Sequence, residues 1–165
     1  LSGVSIDVRI EDHGVEAGFT RLIGLMENTT PVMSAIGEGL VSSTRRRFVT
    51  QTSPEGAKWA ALNPAYKPLK KNSRILTESG RLGGSINHQD GRDWTRVGTN
   101  VIYAAIHQFG GTIVPKSASH LVFRLATGIV HALSVTIPAR PYLGISDDDE
   151  EMVADTVLIF LRSYQ

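Results

Sequence analysis

No cysteine occurs in the 165 residues, so disulfide frameworks, thiolate zinc sites and cysteine nucleophiles are excluded together. Net charge is also nearly absent. Seventeen Lys and Arg stand against 16 Asp and Glu, leaving +1, and no global field draws the chain to nucleic acid or an anionic membrane. Long hydrophobic runs are missing: the longest, residues 101–106, has six residues, where a membrane helix needs about 20. Asp7, Arg9, Glu11 and Asp12 occupy the place of a secretory apolar stretch, so no signal peptide and no membrane partner are expected. The chain carries no Walker-type phosphate loop, GxGxxG fingerprint, GxSxG elbow or HExxH pair. His13, His88, His107, His120 and His131 never fall three or four apart, the spacing of a helical metal pair. The reading assigns no catalytic residue, no cofactor and no metal, and expects no enzyme.

What is present is ordinary globular material, 41% hydrophobic and 20% charged. Its length suits a single domain, residues 1–165, able to bury roughly two-thirds of its surface. Val4, Ile6, Val8 and Ile10 alternate with polar neighbours, as in a half-buried strand. Val15, Phe19, Leu22 and Met26 then form one helical stripe. Thr30 as N-cap and Pro31 at the first helical position open a second helix over 31–51, with Met33, Ile36, Leu40, Thr44 and Phe48 facing inward. Gly37 and Gly39 inside it each cost about 1 kcal/mol against Ala, which points to close approach by a neighbouring element.

Residues 52–74 read as a long irregular loop pinned by Trp59, Leu62 and Tyr66. Short helices are expected over 77–86 and 101–109, with Gly110 as a left-handed stop, and a strand over 94–98. The segment 112–137 reads as a β-hairpin, with strands at 121–125 and 133–137 and Gly128 near the bend. A last helix starts at Ser146, whose pairing with Asp149 resembles a capping box, and buries Met152, Val153, Thr156, Val157, Phe160 and Tyr164. The class is α+β: a small mixed or antiparallel sheet with a hairpin, packed against two N-terminal helices, one C-terminal helix and shorter ones.

Candidate chemistry is thin. Ser79 or Ser85 with His107 and Asp90 would supply hydrolase groups, yet no spacing links them. Asn28-Thr29-Thr30 fits a glycosylation sequon but reads better as a turn and cap. Charge, however, is unevenly placed. Residues 45–74 hold Arg45, Arg46, Arg47, Lys58, Lys67, Lys70, Lys71 and Arg74 against Glu55 alone; residues 147–155 hold Asp147, Asp148, Asp149, Glu150, Glu151 and Asp155 with no base. The acidic run complements a helix dipole and lacks the ligand alternation of a calcium loop. Opposite patches on one domain can steer copies head to tail, closing a ring where the rotation permits. The alternative reading is a nucleic-acid-binding module, with 45–74 on phosphates and Trp59 and Tyr66 stacking.

Four stretches, in order, carry a resemblance. Pro54-Glu55-Gly56-Ala57-Lys58-Trp59-Ala60-Ala61-Leu62 leads to Pro64-Ala65-Tyr66; Ile75-Leu76-Thr77-Glu78-Ser79-Gly80-Arg81-Leu82 leads to Ser85-Ile86. Val97-Gly98-Thr99-Asn100 precedes Tyr103-Ala104-Ala105-Ile106-His107-Gln108-Phe109-Gly110, and Ile137-Pro138-Ala139-Arg140-Pro141-Tyr142-Leu143-Gly144 precedes the acidic helix. From about Phe48 onward the chain resembles the phage virion morphogenesis family, the tail-completion proteins of Mu-like phages and prophages.

The resemblance implies a structural virion protein that completes or terminates the tail and joins it to the head as a ring-forming subunit of the neck. It implies a hexameric ring of this chain, with the tail tube protein and a head–tail connector or portal-side neck protein as partners. Packaged DNA would pass through the channel without specific binding. The expected location is the neck and tail region of the virion, and the host cytoplasm during assembly. Interface candidates are Arg45, Arg46, Arg47, Lys58, Lys70 and Lys71, Asp147, Asp148 and Asp149, and Arg140 and Tyr142 on a segment stiffened by Pro138 and Pro141. Leu82, Ile86, Ile106 and Leu143, with Tyr103 and Phe109, are expected in the core.

Overall fold

The computed structural model describes residues 28–163, together with Gly18, Thr20, Ile23 and Gly24. Those four positions are helical and exposed, within the first expected helix. That helix's apolar stripe, Val15, Phe19, Leu22 and Met26, and the strand over 4–10 lie outside the described residues, as does Tyr164.

The central element is helix α1, Thr30–Thr50. Its N-cap is Thr29, one residue earlier than expected, with Pro31 in the first turn. The Thr29 carbonyl accepts the first helical bond from Met33, and the Asn28 side chain takes the Thr30 N–H at 3.2 Å. Gln51 ends the helix in the left-handed conformation, φ 57°, and its side chain accepts the Ile75 N–H. Val32, Ile36, Val41, Thr44 and Phe48 are buried, while Met33 and Leu40 are only half-buried. The buried arc is wider than one stripe because α1 is gripped from two directions. A Cβ on Gly37 would stand 2.6 Å from the His88 ring and from the Thr95 hydroxyl; one on Gly39 would stand 2.6 Å from the Met152 sulfur. The two glycines thus admit the strands over 87–90 and 95–98 on one side and the last helix on the other.

After the loop over 52–74, which holds one 3-10 turn at Lys67–Leu69, come helix α2 (Arg81–Gly84) and strands β1 (Asn87–Asp90) and β2 (Thr95–Gly98). Helix α3 is Ala104–Phe109, and β3 is Gly111–Ile113. The helix expected over 77–86 is therefore a single turn. Gly80 holds φ 71° at its start and Gly83 and Gly84 weaken it, though Ile86 beyond it is fully buried. Gly110 has φ 70° but ψ −174°, so it turns the chain straight from α3 into β3 and is not the left-handed stop expected.

The remaining strands are β4 (Leu121–Leu125), β5 (Gly128–Ala132) and β6 (Val135–Ile137). Among the described residues, three two-stranded antiparallel ladders form: β1–β2, β3–β6 and β4–β5. The class is α+β, with the antiparallel form of the expected sheet. The hairpin over 112–137 has two tiers, and its inner pairing differs from expectation. Leu125 pairs with Gly128 across a two-residue turn, so β5 begins at Gly128 and not at 133. The stretch 133–137 is not its partner. It breaks at Leu133-Ser134 and pairs with β3 as the base of the hairpin.

Helix α4, Asp147–Arg162, has the expected capping box: Ser146 takes the Asp149 N–H and Asp149 takes the Ser146 N–H. Met152, Val153, Thr156 and Phe160 are half-buried against the rest, and Val157 is exposed. The core gathers Val41, Phe48, Trp59, Leu82, Ile86, Val101, Ala104 and Tyr142. Phe48 sits at its centre, edge-on to Trp59 with centroids 5.5 Å apart and tilted against Tyr142 at 5.2 Å. Such aromatic pairs add about 1 kcal/mol each beyond area burial.

Candidate assembly interface

The residues proposed as contacts fall into two groups, and the first is turned inward. Arg47 and Asp149 are 5% and 3% exposed and form an ion pair between α1 and α4. Arg47 also donates to the carbonyls of Tyr142 (3.0 Å) and Gly144 (2.9 Å), so one guanidinium ties α1 to the segment that leads into α4 and to α4 itself. Burial pushes the Asp149 carboxyl up; hydrogen bonds from Ser43 and Ser146 and the Arg47 charge outweigh it, and the net shift is down.

Arg140 is buried as well, its fork donating to the Ala60 and Ala61 carbonyls at 2.7 and 2.9 Å. Tyr142 is 1% exposed and donates its hydroxyl to the Ala104 carbonyl. Arg47, Asp149, Arg140 and Tyr142 are therefore turned inward and hold the fold together. The rigid segment over 137–144 does present an arginine, as expected, but to its own loop. Gln108, on α3, completes this lock, a role the sequence did not signal: its amide oxygen accepts the Tyr142 and Leu143 N–H groups and its amide nitrogen donates to the Leu143 carbonyl. Trp59 adds an indole bond to the Pro141 carbonyl at 2.7 Å.

The second group stays at the surface except Lys70, whose side chain is only 3% exposed. Arg45 is exposed but donates to the Ile86 carbonyl, and Lys58 to the Thr50 carbonyl. Lys70 pairs with Glu78, holding that carboxyl below its ordinary value. Arg46, Lys67 and Arg74 keep exposed side chains without an internal partner among the described residues, and Lys71, also exposed, acts on Glu78 through its charge and its backbone N–H. Asp147, Asp148, Glu150, Glu151 and Asp155 are exposed on α4. Of the hydrolase groups, Ser79 and His107 line one cleft, but the expected acid does not complete them there: Ser85 bonds Thr99, and Asp90 bonds His88 and Thr95 away from it.

A cleft of about 650 Å³ opens between the 61–70 part of the loop, α3 and the inner face of the hairpin. Leu62, Leu76, Phe123, Leu125 and Ile137 make its apolar floor, with Lys70 and Glu78 among its lining. The Ala126 N–H donates to the Ala65 carbonyl and fixes the hairpin turn to the loop. His107 lines the cleft, half-buried, and Arg140 adjoins it there. Burial, then the Arg140 charge, holds His107 below its ordinary value. Tyr66 and Tyr103 line the cleft partly exposed, so neither pins the core.

Several large apolar side chains face solvent. Ile102 is 99% exposed, Phe109 77%, Ile129 72% and Leu133 71%. Phe109 had been expected in the core. It sits on the outer side of α3 in line with Ile102 and Ala105, opposite Tyr103 and His107, which α3 turns to the cleft. Ile106 and Leu143 are half-buried, and Leu82 and Ile86 are buried as expected. Scattered exposed apolar residues are normal, but clusters of this kind mark contact surfaces.

Comparison with known proteins extends this picture. The model of the phage virion morphogenesis family matches residues 10–162. Protein G of Escherichia phage Mu, which carries a capsid-assembly name, is 29% identical over 162 residues, covering 93% of this chain and 90% of that protein. G protein 2 of the Mu-like prophage FluMu of Haemophilus influenzae is 30% identical over 154 residues, covering 92% and 93%. No solved structure matches the chain.

Proposed function

The chain belongs to the phage virion morphogenesis family, and we propose that it completes or terminates the tail and joins it to the head as a ring-forming subunit of the neck. The observation that carries the reading is the family match, which spans nearly the whole chain rather than one motif. The surface supports it. Exposed apolar residues on α3, the hairpin and the end of α4 leave contact area that a protomer alone does not bury. Unpaired cations on the loop and anions on α4 lie on different elements, the arrangement a head-to-tail ring uses. The partners in this reading are further copies of the chain in a hexamer, the tail tube protein and a head-side connector, with DNA passing through without specific contact.

Quantitative mass spectrometry of purified particles, with antibody labelling under the electron microscope, tests the proposal. The expected outcome is one ring's complement of this chain per particle, with label at the head–tail junction. Label on the head shell, or absence from finished particles, overturns it. The nucleic-acid alternative is weakened by the structure, since Arg45, Arg47, Lys58 and Lys70 already have partners within the fold.

A further inference from the structure

We propose that the cleft between the loop and the hairpin receives helix α4 of a second copy of this chain. The proposal rests on the ring reading above and names the two faces that meet. Along α4, Asp147, Glu151, Ala154, Leu158 and Leu161 are all exposed. Their spacing of four, three, four and three residues puts them in one continuous stripe. That stripe lies away from Met152, Val153, Thr156 and Phe160, which face inward. It changes character along its length: carboxylates first, a small residue in the middle, leucines last. Glu150 and Asp155 reinforce the acidic half, and Val157 and Ile159 leave the other half apolar nearly all round.

The cleft has the matching parts. Its floor is apolar, and the loop that walls it carries Lys67, Lys71 and Arg74 exposed on either side of the cleft-lining Lys70, with only Glu78 to offset Lys71. The 16 residues of α4 make a helix about 24 Å long, so one docked helix can set its carboxylates against the loop cations while its leucines enter the cleft. The two surfaces are different parts of the protomer. Their contact is heterologous, repeats from copy to copy, and closes into a ring when the rotation fits. Charge fixes the register and speeds encounter, and the apolar half supplies most of the affinity.

The test uses the full-length chain and light scattering after size exclusion. One variant reverses the helix, Glu151→Lys with Asp155→Lys; the other reverses the loop, Lys67→Glu with Lys71→Glu. All four positions are exposed and spare the Arg47–Asp149 pair, and matching melting curves check that both variants fold. Wild type is expected to assemble, and each variant to run as a monomer through like-charge repulsion. An equimolar mixture of the two is expected to regain the wild-type mass, because every contact in an alternating ring is again between opposite charges. Leu158→Glu, alone or mixed with the helix variant, is expected to remain monomeric, because neither partner then offers an α4 that fits the cleft. Variants that keep the wild-type mass, or a mixture that stays monomeric, overturn this interface while leaving the ring reading intact. A loop variant that still assembles but loses duplex DNA assigns the cations to nucleic acid and overturns it too. A wild type that is monomeric at every concentration overturns both the interface and the ring.

Discussion

At the scale of single residues, two charged side chains do work that neither one's sequence position announces. Arg47 is one of three consecutive arginines, yet it alone turns inward to Asp149 and two carbonyls. Removing one partner of a buried pair leaves an uncompensated charge. Arg47→Ala is therefore expected to cost about 3–5 kcal/mol in urea unfolding, against less than about 1 for the exposed Arg46→Ala. Acid should act on the same contact. Asp149 is held below its ordinary value of 3.8, so its contribution is complete above about pH 4 and is lost as pH falls through the lower native value. His107 is also held low, by burial first and Arg140 second, so the unfolded chain binds its proton more readily. Stability is then expected to begin falling below about pH 6.5, with a further fall below about pH 4. Melting curves across that range check it: His107→Gln should flatten the upper limb and Asp149→Asn the lower. The Asp149 cap was legible, but its pairing with Arg47 was not, because charged residues are surface residues by default and only tertiary contact selects the exceptions.

At the scale of elements, helix α1 shows how two glycines of equal propensity cost can have different meanings. Either one changed to Ala gains about 1 kcal/mol of helix propensity. At Gly39 the new methyl meets the end of Met152, a flexible thioether that can move aside. At Gly37 it meets the His88 ring and the Thr95 hydroxyl, both held by the Asp90 carboxylate at 2.8 and 2.7 Å. Thermal unfolding is expected to show Gly39→Ala neutral or slightly stabilised and Gly37→Ala destabilised by about 1 kcal/mol or more; equal effects would contradict this packing. Gly110→Ala is expected to be worse, by about 2–3 kcal/mol. Its φ is positive, and a methyl would stand 2.7 Å from the Ala139 backbone nitrogen.

The long elements with strong local signals were legible: α1 to within a residue, and α4 with its capping box. Close approach at Gly37 and Gly39 was legible too, from the cost of placing glycine inside a helix. The hairpin was legible only in outline. Its outer limits followed from alternating apolar residues, but a two-residue turn without Asn or an early Gly leaves no clear local mark, and β6 chooses β3 through tertiary pairing. The helix expected over 77–86 failed for a local reason that its own residues carried, the glycines at 80, 83 and 84.

At the scale of the whole molecule, family and general role were readable from the order of four short motifs, and the same motifs prove to be the joints of the protomer. Trp59, Gln108, Arg140 and Tyr142 interlock three of them. The assembly surface was less readable. Of the eleven contact candidates, Arg47, Lys70, Arg140, Tyr142 and Asp149 turn their side chains inward, while the cleft and the exposed leucines of α4 come into view only once the loop and hairpin face each other. An interface guided by exposed charge should weaken with salt, so assembly of the wild-type chain is expected to decline as ionic strength shortens the Debye length from about 10 Å at 0.1 M to about 3 Å at 1 M. Sedimentation velocity across that range measures it.

The central claim, that this chain completes the tail and joins it to the head, is tested most directly by electron microscopy of particles made after its gene is deleted from the parent phage or prophage. Filled heads lying beside unattached tails are the predicted result, with overlong tails marking a terminator and normal lengths a neck fitting. Intact, infectious particles would contradict the account.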